Sequence, residues 1–489
     1  MKLTEIISIL PFYQSTKKLE EIDINSIEMD SRRVKASDLF ICIKGFTVDG
    51  HDFVNQAIER GASAIIAEKE IQTNVPTIVV PDTSRALALI ATKFFAYPTN
   101  QFPLIGVTGT NGKTTVTYLL EAIFSKYKKK TGVIGTIHMK IGDESFPVNN
   151  TTPDALFLQR TFRQMADEQV ETGIMEVSSH ALDLGRVYGC DFDIAIFTNL
   201  SQDHLDYHKD MNDYLRAKSL LFAQLGSAYA DGRKKFAILN EDDPHSSLLK
   251  QSTAQHILTY GLSDKAQVKA TNIQLDVTHT NFTLSSPVGI IEIHSKLIGM
   301  FNVYNMLAAS SAAIASNVPL NVIKKALESI TGVNGRFQQV IAGQPFATIV
   351  DYAHTPDSLE NVLQTIQEFA KRKVYVVVGC GGDRDRTKRP LMADIALKYA
   401  DLAIFTSDNP RTEEPHRILD DMTNGLSKTH FEVIENRKEA ICHAVQLAKK
   451  DDIILIAGKG HETYQQIGQT KYDFDDREVA KEAINNKGI

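Results

Sequence analysis

At 489 residues the chain is long enough for about three domains of ordinary size. Its 43% hydrophobic and 23% charged residues are the proportions of a soluble globular protein. A net charge of −7 without a dominant basic block argues against a nucleic-acid partner. Cys42, Cys190, Cys380 and Cys442 lie far apart without metal-ligand spacing, which argues against a disulfide framework or a zinc site. Met1 to Ile6 is not a basic run leading into an apolar one, and no long uncharged apolar run occurs. The expectation is a cytoplasmic protein with reduced thiols and no membrane insertion.

Three α/β segments follow one another. In residues 1–98, short apolar runs at Asp38 to Ile43, Ala64 to Ala67 and Pro76 to Val80 surround a helical stretch from Phe53 to Arg60. This reads as a small N-terminal α/β domain, and Tyr97-Pro98-Thr99-Asn100 reads as a linker. Residues 99–331 alternate buried-strand candidates (Gly132 to Gly135, Gly173 to Val177, Ile194 to Thr198) with helical patterns, which favours a mainly parallel sheet. The β-branched stretch from Gln267 to Ile293 is expected to add antiparallel strands. The basic run Lys126 to Lys130, interrupted by Tyr127, is expected to compensate a helix C-terminus. Residues 332–489 hold strand candidates Phe346 to Asp351, Lys373 to Val378, Leu402 to Thr406 and Ile453 to Ala457, as a Rossmann-like C-terminal α/β domain would.

The strongest chemical signal opens the middle segment. Phe102 to Val107 reads as a strand and Val116 to Phe124 as a helix, joined by Gly109-Thr110-Asn111-Gly112-Lys113-Thr114-Thr115. The glycines let successive N–H groups face one concavity, Lys113 supplies a cation, and the Thr114 hydroxyl is placed for Mg²⁺. ATP is the expected ligand, although Val107 stands where the common phosphate-loop pattern has its first glycine. Glu176 and Asp203-His204 follow neighbouring strands and are candidate Mg²⁺ ligands. Lys218 lies in the helical run Tyr214 to Phe222, where periodicity does not single it out.

Further on, Thr355 and Pro356 form a helix start after Asp351-Tyr352-Ala353-His354. Asp351 and His354 there either face a nucleotide or merely build the turn. Arg384, Arg386 and Arg389 crowd one strand end, with Asp408-Asn409-Pro410-Arg411 at the next and Gly458-Lys459-Gly460-His461-Glu462 at another. Guanidinium forks of this kind suit carboxylates or phosphates.

Together these strings resemble the Mur ligases, ATP-dependent amide-forming enzymes of peptidoglycan precursor assembly, over nearly the whole chain. Gly109 to Thr115 is similar to that family's own phosphate loop, which accounts for Val107. Glu176 to His180, Thr198 to His208, Phe301-Asn302 with Asn305, Gly335-Arg336 and Asp351 to His354 are similar to its other motifs. The resemblance implies ATP contacts from Asn302, Asn305, Arg336 and Asp351 beside the loop, and a catalytic set of Lys113, Glu176, His204 and Lys218. It implies Mg²⁺ at Thr114, Glu176, His204 and Lys218, the last as its carbamate. A UDP-N-acetylmuramoyl-dipeptide would lie against Ser31, Thr151, Thr152, Ser178 and Arg186, with Leu184 where some relatives carry glutamine.

Asp408 to Arg411 looks like the signature of family members that add meso-diaminopimelate. That amino acid has a second carboxylate, which lysine lacks and an arginine fork can pair with. Arg384, Asp408, Asn409, Pro410, Arg411, Gly458 and Glu462 would hold it. The implied reaction passes through an acyl phosphate and ends in an amide, and a monomer is expected. The rivals are a lysine-adding ligase, a folate-polyglutamating ligase and a phosphate-loop regulator that forms no amide.

Overall fold

The strand Leu104–Thr108 is buried along its whole length, and its side chains alternate between two cores. Ile105 and Val107 face the helix Lys113–Lys126 through Leu119, Leu120 and Ile123, while Leu104 packs with Phe102 and Phe192 on the other side. A strand covered on both faces needs apolar residues at every position, which this run supplies. The computed structural model describes residues 1–19, 21–45, 48–148, 150–229, 234–276, 279–426 and 430–487.

Around this strand lies an 11-stranded sheet among the described residues. Thr172–Glu176 and Ile194–Phe197 pair with it on either side, both parallel. The antiparallel addition is present as Val268–Leu275, Thr280–Ser286 and Gly289–Ser295 at one edge. Residues 277–278 of the expected stretch lie outside the described residues.

The first segment forms a separate five-stranded sheet, parallel except for the edge strand Gln14–Ser15. Tyr97 to Asn100 is not a loose linker. Pro98–Asn100 is a 3-10 turn with Pro98 and Thr99 buried, and Thr99 Oγ1 accepts the Asp191 N–H at 3.1 Å. The basic run meets the expectation in part, with Lys126 in the last turn of the helix. Its helix ends at Lys126, while the Lys129 and Lys130 ammonium groups reach Glu171 and Glu168, as two surface ion pairs.

The third segment is a six-stranded sheet, parallel apart from the edge strand Gln338–Gln339. Asp351 pairs in register with Ala457, which also faces Val378, itself opposite Phe405. The chemically rich strings therefore leave one row of carboxyl-terminal strand ends, where open α/β sheets bind ligands.

Candidate active site

Gly109 (φ +147°) and Gly112 (φ +88°) lie in backbone regions that side chains rarely adopt, and each is crowded where a Cβ would stand. At Gly109 the obstacle is the Thr198 hydroxyl; at Gly112 it is the Asn305 carboxamide. The Lys113 ammonium lies over its own loop, donating to Gly109 O at 2.9 Å and Thr110 O at 2.8 Å. Burial holds its pKa below the usual lysine range, opposed by Glu176 and Asp203.

Glu176 is buried at the end of its strand. Its carboxylate accepts the Thr114 hydroxyl at 3.0 Å, the Thr136 hydroxyl at 3.0 Å and the Thr136 N–H at 2.8 Å. A carboxylate beside hydroxyl oxygens is a donor set that suits a hard cation such as Mg²⁺. Thr136 gave no sequence signal, because it sits in no periodic pattern.

The other two expected metal residues lie near the same phosphate loop. Lys218 is buried, donates to Gly109 O at 2.9 Å and lies 4.2 Å from the Tyr214 ring centre. Burial, then Lys113, holds its amine well below the usual lysine range. His204, in a left-handed conformation (φ +57°), has Nε2 3.5 Å from Asp203 and its ring edge-on to His180 and Tyr214. Burial drives its pKa down to about 4, with Asp203 opposing. Among the described residues no three His, Cys, Asp or Glu side chains gather as a metal cluster.

Asn305 and Asn302 bond to each other at 3.3 Å on the helix Met300–Ala315, which packs against the phosphate-loop helix. From the third segment, Arg336 Nη2 approaches the Thr114 hydroxyl at 3.4 Å, and its guanidinium covers the Tyr352 ring at 4.7 Å. Asp351 is nearly buried and accepts the Phe337 N–H at 2.6 Å, so its carboxylate shapes the turn that carries Arg336. Burial raises its pKa, and Arg336 opposes.

Four of the five expected nucleotide-sugar residues come together. Thr152 Oγ1 donates to Glu176 O at 2.9 Å and accepts the Ser178 N–H at 3.0 Å. Arg186 donates to Thr152 O at 3.0 Å, and the Thr151 hydroxyl lies 3.0 Å from that of Thr136. Ser31 stays in the first segment, bonded to Gln56 at 2.5 Å. Leu184 caps the short helix Ser179–Asp183.

Of the clustered arginines, only some remain open to a ligand. Arg386 forks onto Asp421, and buried Arg389 pairs with Glu413 at 2.8 Å and Asp421 at 2.7 Å. These two make ion pairs within the domain, so of the run Arg384 alone stays with the amino-acid set that the resemblance implies. Arg384 and Arg411 both come near Gly381: a Cβ there would lie 2.9 Å from Arg411 Nη1 and 3.8 Å from Arg384 Cγ, and Arg384 Nη1 donates to Asp383 O at 2.9 Å. Arg411 has φ +53° and donates to Gly382 O at 2.6 Å. Next to it, Asn409 Nδ2 donates to Glu462 at 2.8 Å. The ammonium of fully buried Lys459 donates to Asn409 Oδ1 and Glu462 Oε2, both at 3.0 Å. A Cβ at Gly458 would lie 2.6 Å from the Asp408 carboxylate, and Pro410 is buried. Lys459 lay within a motif, but its burial could not be read from the string.

The chain matches three family models: "Mur ligase family, catalytic domain" over residues 23–95, "Mur ligase middle domain" over 107–313, and "Mur ligase, glutamate ligase domain" over 335–460. It is 64% identical to the UDP-N-acetylmuramoyl-L-alanyl-D-glutamate–2,6-diaminopimelate ligase of Oceanobacillus iheyensis, covering 100% of both chains. A solved structure of a ligase with that name superposes with a TM-score of 0.72 at 34% identity, covering 100% of this chain and 99% of the other. A MurF ligase from Thermotoga maritima in complex with ADP shares the fold, with a TM-score of 0.64 at 18% identity, covering 96% and 98%. With its phosphate loop, its carboxyl-end strings and these matches along its length, the chain belongs to the Mur ligase family.

Proposed function

We propose that the chain is an ATP-dependent ligase joining meso-diaminopimelate to the D-glutamate of UDP-N-acetylmuramoyl-L-Ala-D-Glu, for peptidoglycan precursors. The observation that carries the choice of amino acid is Arg411, whose guanidinium lies at Gly381 with Arg384 nearby, beside Asn409 and Glu462. A diamino acid has an ammonium for the carboxylates Glu462 and Asp408 and a distal carboxylate for the guanidinium groups. With lysine bound, a guanidinium placed for that carboxylate loses its partner, a discrimination of about 2 kcal/mol or more.

The reading assigns residues 1–98 and Ser31 to the uridine end of the substrate, residues 99–331 to ATP and residues 332–489 to the amino acid. Thr151, Thr152, Ser178 and Arg186 hold the peptidyl sugar near the phosphate loop. The D-glutamate carboxylate attacks the γ-phosphorus of ATP, releasing ADP and leaving an acyl phosphate. The diaminopimelate amine adds to the acyl carbon, and collapse of the tetrahedral species expels phosphate and forms the amide. Loop N–H groups and Lys113 stabilise the phosphoryl group in transit, a contribution of position and charge. Arriving phosphates favour the Lys113 ammonium that burial disfavours. Mg²⁺, held by Thr114 and Glu176 with His204 and carbamylated Lys218, supplies neutralisation of phosphate charge. Lys218 suits that modification, because burial and Lys113 favour its neutral amine, the form that adds CO2. Asn302, Asn305, Arg336 and Asp351 complete the nucleotide site from two segments.

The enzyme so described is a cytoplasmic monomer. No helix among the described residues is long and apolar enough to cross a membrane. The test is phosphate release with ATP, the UDP-linked dipeptide and each amino acid in turn. Release and amide formation with diaminopimelate, at least about thirtyfold above lysine, are expected from the discrimination argued above. Equal or better use of lysine refutes the assignment of Arg411, and release indifferent to the dipeptide favours a regulator.

A further inference from the structure

The phosphate loop is stitched to the loop that follows Ile194–Phe197. Thr110 N–H donates to Asn199 O at 2.8 Å and Asn111 N–H to Asn199 Oδ1 at 2.9 Å. Ser201 N–H donates to Thr110 Oγ1 at 3.0 Å, and the Thr198 hydroxyl to Asn111 O at 2.6 Å. The side chains of Asn111 and Ser201 both reach outside these loops, to one atom of the third segment. Asn111 Nδ2 donates to Asp357 Oδ2 at 2.9 Å, and the Ser201 hydroxyl donates to the same oxygen at 2.8 Å.

Asp357 is aimed there by its helix. It is the second residue of Pro356–Phe369, whose start is fixed by Pro356 and by reciprocal bonds between Thr355 and Ser358. These caps hold the first turn rigid. The C-terminal domain thus presents a half-buried carboxylate to two loops that each run straight into the chemistry. Asn111 stands just before Lys113, and Ser201 just before Asp203 and His204.

We propose that Asp357 is a positioning residue that couples seating of the C-terminal domain to the phosphoryl-transfer site. When the domain is seated, one oxygen holds both loops in a single relative position. When it swings away, both donors turn to water and the loops lose that constraint. Acyl phosphate formation is thereby tied to the domain that delivers the amine, which limits futile hydrolysis. This rests on the ligase reading above.

The test compares wild type with Asp357→Ala, Asp357→Asn and Ser201→Ala. Asp357→Ala is expected to lower kcat by about tenfold or more while KM for the diamino acid stays within about twofold, as for a lost positioning contact. Phosphate released per amide formed rises above the wild-type ratio, and small-angle scattering of the ligand-free variant gives a larger radius of gyration. Asp357→Asn keeps an acceptor oxygen and recovers most of both, and Ser201→Ala falls between. A lower Tm with unchanged kinetics and stoichiometry overturns the proposal, leaving Asp357 as a helix-terminus charge. If wild type forms no amide, the ligase reading fails instead. The scattering comparison then decides: an unchanged radius of gyration in Asp357→Ala overturns the coupling as well.

Discussion

Gly381 leaves room for two arginines because it has no side chain. A Cβ there would press on Arg411 Nη1, the movable end of a flexible side chain, and would not strike backbone. Gly381→Ala is therefore expected to keep the fold, with Tm changed by little, while pushing the Arg411 guanidinium off its position. KM for diaminopimelate should rise about tenfold or more with KM for ATP unchanged, since distance governs charge-assisted hydrogen bonds steeply. Steady-state kinetics with each substrate varied checks this, and an unchanged KM for diaminopimelate contradicts it. Lys459 makes the same point from behind. Its buried ammonium fixes Asn409 and Glu462, so two groups of the amino-acid site are held in place before any ligand arrives.

At the scale of elements, the loop after Val374–Val378 owes its shape to one buried side chain. Arg389 links the helix Lys388–Tyr399 to Glu413 and to Asp421 on the helix Pro415–Thr423. Removing it leaves Glu413 without its cation, while Asp421 keeps only Arg386. Arg389→Ala is expected to cost about 3 kcal/mol, measured by denaturant unfolding, with the amino-acid site disturbed as a consequence. Sequence reading could not separate this arginine from Arg384, because both belong to one charged string and only burial distinguishes them. The strands, by contrast, were legible: Leu104–Thr108, Thr172–Glu176 and Ile194–Phe197 are short, apolar and followed by polar strings. The start of Pro356–Phe369 was legible too, since Thr355 and Pro356 have local meanings. Thr136 was not, because it sits in no pattern and meets Glu176 only through a contact 40 residues along the chain.

At the scale of the molecule, half-buried imidazoles tie stability to pH. Burial drives the pKa of His354 and of His461 from 6.5 to about 4, with Lys388 pushing His354, and Arg336 pushing His461, the same way. The native state keeps both neutral, whereas the unfolded chain protonates them near 6.5. Their contribution is thus intact above pH 6.5, declines as pH falls towards about 4, and is level below. Asp351, raised by burial, acts in the opposite sense, while Asp183 and Asp421, both lowered, add to the loss in acid. The Tm is expected to fall by several degrees between pH 6.5 and 4.5, and His354→Gln with His461→Gln should flatten that slope, as read by calorimetry across the range. The same imidazoles line the junction at Tyr352, so acid loosens the molecule where the nucleotide site is split.

The left-handed backbone at Arg411 (φ +53°) bears on how substrate choice could drift. Arginine is held there at a conformational cost that glycine does not incur and asparagine incurs less. Those two replacements would relieve the chain and delete the guanidinium in one step, whereas a β-branched residue would be resisted. On the proposed reading of Arg411, the position is an easy exit from carboxylate recognition, kept by continued selection for the diamino acid.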